Sequence, residues 1–202
     1  MRGENTKDAS TEHGSLLSTF HIKLVVWDLG DTLITPPSGG QDLRPLEEYP
    51  EIRVRSGAVT VLRNLAVQGY KQAVLSNTAV SDSNSARRLL AHLGIENYFD
   101  VVVATASELD PAKPGKPDSV VFDRVLKACH ANHLEAVMVG NTWDTDILGA
   151  NRSGMHAVWL QNPDVAVRRD LSSPIITPPC VVRVWDIHNV PDVLAKGMAD
   201  GR

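Results

Sequence analysis

The stretch Lys23-Leu24-Val25-Val26-Trp27-Asp28-Leu29-Gly30-Asp31-Thr32-Leu33 sets the reading of the whole chain. Four apolar residues run unbroken into an aspartate, followed by a glycine, a second aspartate and a threonine. An unbroken apolar run of this length belongs to a strand covered on both faces, at the centre of a parallel sheet. In such sheets ligands bind beyond the carboxyl ends of the strands. Asp28 would stand at that edge, beside a glycine that lets backbone come close to a ligand. Read alone, the stretch leaves a second role for Asp28 open, because aspartates also cap turns.

Downstream, strands and helices alternate. Proline and glycine make 34–40 a loop, and 41–55 is polar and irregular. Ser56 is expected to cap a helix over 56–68, with Val59, Leu62, Leu65 and Ala66 on its inner face and Gly69 beyond its end. A strand over 72–77 ends in Ser76 and Asn77. Ala86, Leu89, Leu90 and Leu93 then repeat at helical spacing before Gly94. A third strand covers 99–104, and Lys113 and Lys116 lie in a proline-rich loop. The next helix carries Phe122, Val125, Leu126 and Cys129 on one stripe. Strands follow over 135–140, 156–160 and 181–185, with short helices over 147–153 and 189–196. This alternation predicts a three-layer α/β/α Rossmann-like fold around a parallel sheet.

Length and composition narrow the function classes. At 202 residues, with 43% hydrophobic and 22% charged residues, the chain suits one globular domain. Residues 1–20 read as a disordered leader and 21–202 as a single domain. A net charge of -4 gives no electrostatic footprint for nucleic acid or a membrane surface. Two cysteines build no disulfide framework, so a reducing, cytoplasmic setting is expected.

Polar residues gather at several strand ends: Asp28 and Asp31, Ser76 and Asn77, then Asn141, Asp144 and Asp146. A parallel sheet brings these ends to one edge, and Lys116 joins them from a helix-opening loop. Carboxylate and amide oxygens suit a hard cation such as Mg²⁺. A lysine and a hydroxyl beside it suit a transferring phosphoryl group.

These residues resemble the four motifs of the haloacid dehalogenase superfamily of hydrolases, in order. Asp28-Leu29-Gly30-Asp31-Thr32-Leu33 resembles the first, Asp-x-Asp-Gly-Thr-Leu, and Val74-Leu75-Ser76-Asn77 the second. Gly115-Lys116-Pro117 resembles the third, and the run from Val139 to Ala150, with Asn141 and Asp146, the fourth. The resemblance implies a Mg²⁺-dependent phosphatase acting on a phosphomonoester. Asp28 would be the nucleophile, forming an aspartyl-phosphate. Ser76, the Asn77 backbone and Lys116 would hold the phosphoryl group, and Asp28, the Gly30 carbonyl, Asn141 and, directly or through water, Asp146 the metal. About two dozen residues between Leu33 and Ser56 suffice for a flap but not a large cap domain, as in the capless branch of that superfamily. Such an open site takes a large phosphorylated substrate, or a small one under a partner subunit of a homo-oligomer.

Two departures bear on rate. Gly30 stands where the superfamily has its acid/base aspartate, with Asp31 where glycine is usual; Asp31 and Asp144 are the candidates to replace it. Asn141 stands where aspartate is usual. Slow turnover of alkyl phosphates and weakened Mg²⁺ binding are expected. The departures also support a second reading, a catalytically weak phosphate-binding or regulatory protein.

Three lesser features complete the reading. Trp143 is either a packing residue or a platform for a substrate ring. Arg44, Arg53 and Arg55 either contact a substrate anion or lie in solvent. The run from Cys129 to His133 suggests zinc only weakly, because four ligands are needed and Cys129 fits the apolar stripe of its helix.

Overall fold

The computed structural model describes residues 21–161 and 178–197; the expected leader over 1–20 lies outside them. Six strands form one sheet: β1 Leu24–Trp27, β2 Lys71–Ser76, β3 Val101–Ala104, β4 Ala136–Gly140, β5 His156–Leu160 and β6 Val181–Val184. Their order is β3-β2-β1-β4-β5-β6, and every neighbouring pair is parallel. The apolar run of β1 is fully buried between β2 and β4, as its lack of alternation predicts. Chain order reverses at β1, which makes the crevice between β1 and β4 the switch point where α/β sheets bind ligands.

Alternate residues of β1 feed two cores. Val25 and Trp27 pack with α1 Ala58–Val67, α2 Ser83–His92 and α5 Val190–Ala195 on one face. Leu24 and Val26 pack with α3 Ser119–Cys129 and α4 Leu148–Arg152 on the other. The three expected layers are therefore present.

Local differences have physical causes. Helix α1 is capped by Gly57 at φ 81°, not by Ser56, and a β-carbon there would collide with the His188 ring. Its buried face is Ala58, Val61, Leu62 and Leu65, with Val59 partly buried against the same core and Ala66 exposed. The expected 147–153 helix is shorter, because a π-helical turn over Trp143–Ile147 precedes α4. Residues 35–55 form the expected flap, with one 3₁₀ turn at Leu46–Glu48. Leu46 and Ile52 root it in the core.

Candidate functional site

Asp28 is the first residue beyond β1, and its N–H donates to the Val139 carbonyl of β4 at 2.9 Å. That bond points the start of the loop across the switch-point crevice. The Lys116 ammonium lies 2.7 Å from Asp28 Oδ1 and 2.7 Å from Asp146 Oδ1. The three groups come from the β1 loop, the loop before α3 and the π turn after β4. All three are buried.

Each member has a further anchor. The Asn77 side chain grips the Lys116 peptide at both ends: Nδ2 donates to its carbonyl and Oδ1 accepts its N–H, each at 2.8 Å. Asp146 Oδ2 accepts the Thr142 N–H at 2.9 Å, closing the π turn onto its own carboxylate. The Thr32 hydroxyl lies 3.1 Å from Asp28 Oδ2 and 3.4 Å from Asn141 Oδ1. One hydroxyl proton is shared there between two acceptors.

The electrostatics follow from burial. Desolvation pushes Asp28 up from 3.8 to about 6, against the pull of Lys116 and with the push of Asp146. Burial alone would lower Lys116, but the carboxylates of Asp146 and Asp28 outweigh it and hold the ammonium above its usual range.

Above this triad lies a cavity of about 140 Å³. Asp28, Gly30, Ser76, Asn77, Lys116, Asn141 and Asp146 all line it, so the structure brings together every site residue expected from the sequence. The Asn77 amide group is engaged with Lys116, which leaves for a ligand the backbone, the part expected to serve it. Asp31 also lines the cavity, at φ 58° and 3.7 Å from Arg55. Asp144 is exposed and outside the lining. Trp143 takes the packing role: it is buried, its ring 4.6 Å from that of Trp159.

None of the three flap arginines lines the cavity. Arg44 covers the Tyr49 ring, and Arg53 donates to the Pro50 and Ile52 carbonyls. Cys129 faces the core, where burial pushes its thiol up to about 11, and His133 meets Asp123 at 3.0 Å.

Two lining carboxylates, Asp42 and Glu108, are absent from the expected set. Thr32, beside Asp28 but outside the lining, is visible in the sequence only as part of its motif. Asp42, on the flap, is buried and accepts the N–H groups of Ala79 at 2.6 Å, Val80 at 3.2 Å and Ser81 at 2.7 Å. Its partners are backbone, so no side-chain pattern announces it. Glu108, after β3, accepts from Gln41 Nε2 at 3.3 Å.

Among the described residues no three His, Cys, Asp or Glu side chains converge as a metal cluster. The donors at hand are two carboxylates, the Asn141 amide oxygen and the Gly30 carbonyl. An all-oxygen set beside the shared Thr32 hydroxyl fits a hard cation such as Mg²⁺ better than a softer metal.

The haloacid dehalogenase-like hydrolase family model matches residues 37–154, more than half of the chain. The chain is 30% identical over 123 residues to the glyceraldehyde 3-phosphate phosphatase of Methanothermobacter thermautotrophicus, covering 61% of this chain and 51% of that protein. It is 27% identical over 166 residues to human (Homo sapiens) haloacid dehalogenase-like hydrolase domain-containing protein 3, covering 81% and 61%. The chain thus spans between half and two thirds of the length of these curated relatives. A solved structure of an uncharacterized protein from Listeria monocytogenes serotype 4b is 47% identical, with a TM-score of 0.82, over 87% of this chain and 98% of that one.

Proposed function

The chain belongs to the haloacid dehalogenase-like hydrolases, and from that premise we propose that it is a Mg²⁺-dependent phosphomonoesterase working through an aspartyl-phosphate on Asp28. The observation that carries the reading is the buried bridge of Lys116 between Asp28 and Asp146, 2.7 Å to each, at the tip of the central strand. A lysine so placed offsets the repulsion between a carboxylate nucleophile and a phosphate dianion. The phosphatase named above among the relatives supports the same reaction class.

The Asp28 carboxylate attacks phosphorus, and the bond from phosphorus to the leaving-group oxygen breaks. The Ser76 hydroxyl and the Asn77 backbone bind the transferred phosphoryl oxygens, and Lys116 neutralises them. Water then attacks phosphorus, releasing phosphate and restoring the Asp28 carboxylate. Asp28, Asn141 and the Gly30 carbonyl would hold Mg²⁺, with Asp146 joining them directly or through water. Bound there, Mg²⁺ supplies charge stabilisation for the phosphoryl group.

The test is phosphate release from p-nitrophenyl phosphate and acetyl phosphate with and without Mg²⁺. Release that needs the ion and disappears in Asp28→Asn supports the proposal. The second reading, a phosphate-binding protein of little turnover, is favoured by the missing side chain at Gly30. Tight phosphate binding with no release in the native chain would select it.

A further inference from the structure

The cavity of about 140 Å³ is smaller than the ~300–1,000 Å³ that encloses a whole small ligand. On the phosphatase reading, on which this inference rests, it encloses the phosphoryl end of the substrate and leaves the remainder in the mouth. Flap residues up to Asp42 form one side of that mouth and the loop after β3 forms the other. The Gln41–Glu108 hydrogen bond ties the two sides together.

The charges around this mouth are one-sided. Among the described residues, Lys116 is the only Lys, Arg or His lining the cavity, and it is engaged by two carboxylates at its floor. Arg55 stands behind the wall against Asp31. The Asp42 carboxylate is enclosed by three backbone N–H groups. Glu108 is exposed and lines the cavity, and Gln41 Nε2 donates to its carboxylate at 3.3 Å. A second negative charge on the substrate would meet it there with no cation on the lining to receive it.

We propose that Glu108 is a specificity-determining residue that turns away phosphomonoesters with an anionic leaving group, so that the substrates are monophosphates whose remainder is neutral or cationic. Like charges opposed at a binding surface discriminate strongly, here by about tenfold or more in kcat/KM. The effect weakens as salt rises, because the rim is open to solvent.

Glycerol 1-phosphate and 3-phosphoglycerate test this, because both are primary alkyl phosphates and they differ by a hydroxymethyl against a carboxylate. The native chain should prefer the glycerol ester, and the preference should shrink with added salt. Glu108→Gln keeps an oxygen for Gln41 to donate to. It should raise kcat/KM for 3-phosphoglycerate and narrow the ratio to about threefold or less. Equal rates on both esters, or an unchanged ratio in Glu108→Gln, would overturn the proposal while leaving the phosphatase reading intact. Hydrolysis of neither ester nor of p-nitrophenyl phosphate would overturn both.

Discussion

A β-carbon on Gly140 would lie 2.6 Å from Cγ and 2.7 Å from Cβ of Asp146, and closer still to Oδ2. The last residue of β4 is thus bare so that the carboxylate from the following π turn can fold back over it. Asp146 has nowhere to retreat, since Oδ1 is on Lys116 and Oδ2 on the Thr142 N–H. Gly140→Ala should therefore displace Asp146 and misplace Lys116. We expect a loss of about 1–3 kcal/mol in stability, the usual range for overpacking, and a fall in kcat well beyond that in KM. Urea unfolding and steady-state kinetics on one preparation check both; native stability with native kcat would refute the steric account.

Lys116 neutralises two buried carboxylates, and removing it leaves both uncompensated. Lys116→Met should cost about 3–5 kcal/mol at neutral pH, as breaking a buried ion pair does. With the ammonium gone, Asp28, already raised by burial, loses the contact that pulls it down and can escape the penalty by protonating. A raised carboxylate supports folding below its unfolded value and opposes it as pH rises, so the deficit should be smaller at low pH than at high pH. Unfolding at acidic and alkaline pH measures the slope, and a deficit growing toward acid would contradict the burial argument.

Asp28 gives the same logic in the native chain. Burial lifts its folded value from 3.8 to about 6. Folding is therefore favoured by protonation below the lower value, and that support is lost as pH rises through the upper one. Asp28→Asn removes the buried charge, so without Mg²⁺ it should raise the melting temperature at alkaline pH and change it little at strongly acidic pH. The gain is bounded at about 3 kcal/mol, from a shift of about two pH units. On the proposed mechanism Asp28 must also be ionised to attack, so activity should fall on the acid side near pH 6. That limb should move lower as Mg²⁺ is raised, because proton and cation compete for the same carboxylate. A limb insensitive to Mg²⁺ would place the metal elsewhere.

The sheet and much of the site are legible in the residues because both rest on local pattern. Leu24 to Trp27 declare a central strand by lacking alternation, and a parallel sheet then brings Asp28, Ser76, Lys116 and Asn141 to one edge. What escapes is whatever depends on backbone partners far along the chain. Asp42 holds the 79–81 loop through three N–H groups, which any sequence could supply. Ser56 carries the preferred capping chemistry, yet Gly57 caps α1, because the His188 ring fills the space above it. Nothing near position 56 encodes that ring.

Gly30 occupies the place where the superfamily's acid/base aspartate is expected, and its surroundings are open: a β-carbon there meets nothing within 4 Å. The backbone is free of the positive φ that would strain a side chain at this position. Gly30→Asp should therefore fold and present a carboxylate to the cavity it already lines. General acid help matters most when the leaving group is basic, so the gain should be about 10²-fold or more on alkyl phosphates and small on aryl phosphates. In the native chain Asp31 lines the same cavity and is the candidate for this work, 3.7 Å from Arg55. If it already supplies the proton, Asp31→Asn will slow alkyl phosphates selectively and Gly30→Asp will add little. Rates on a series of phosphates of graded leaving-group basicity, in the native chain and both variants, separate the two outcomes through the slope against leaving-group basicity. A slope that neither substitution alters would mean that leaving-group departure does not limit the reaction.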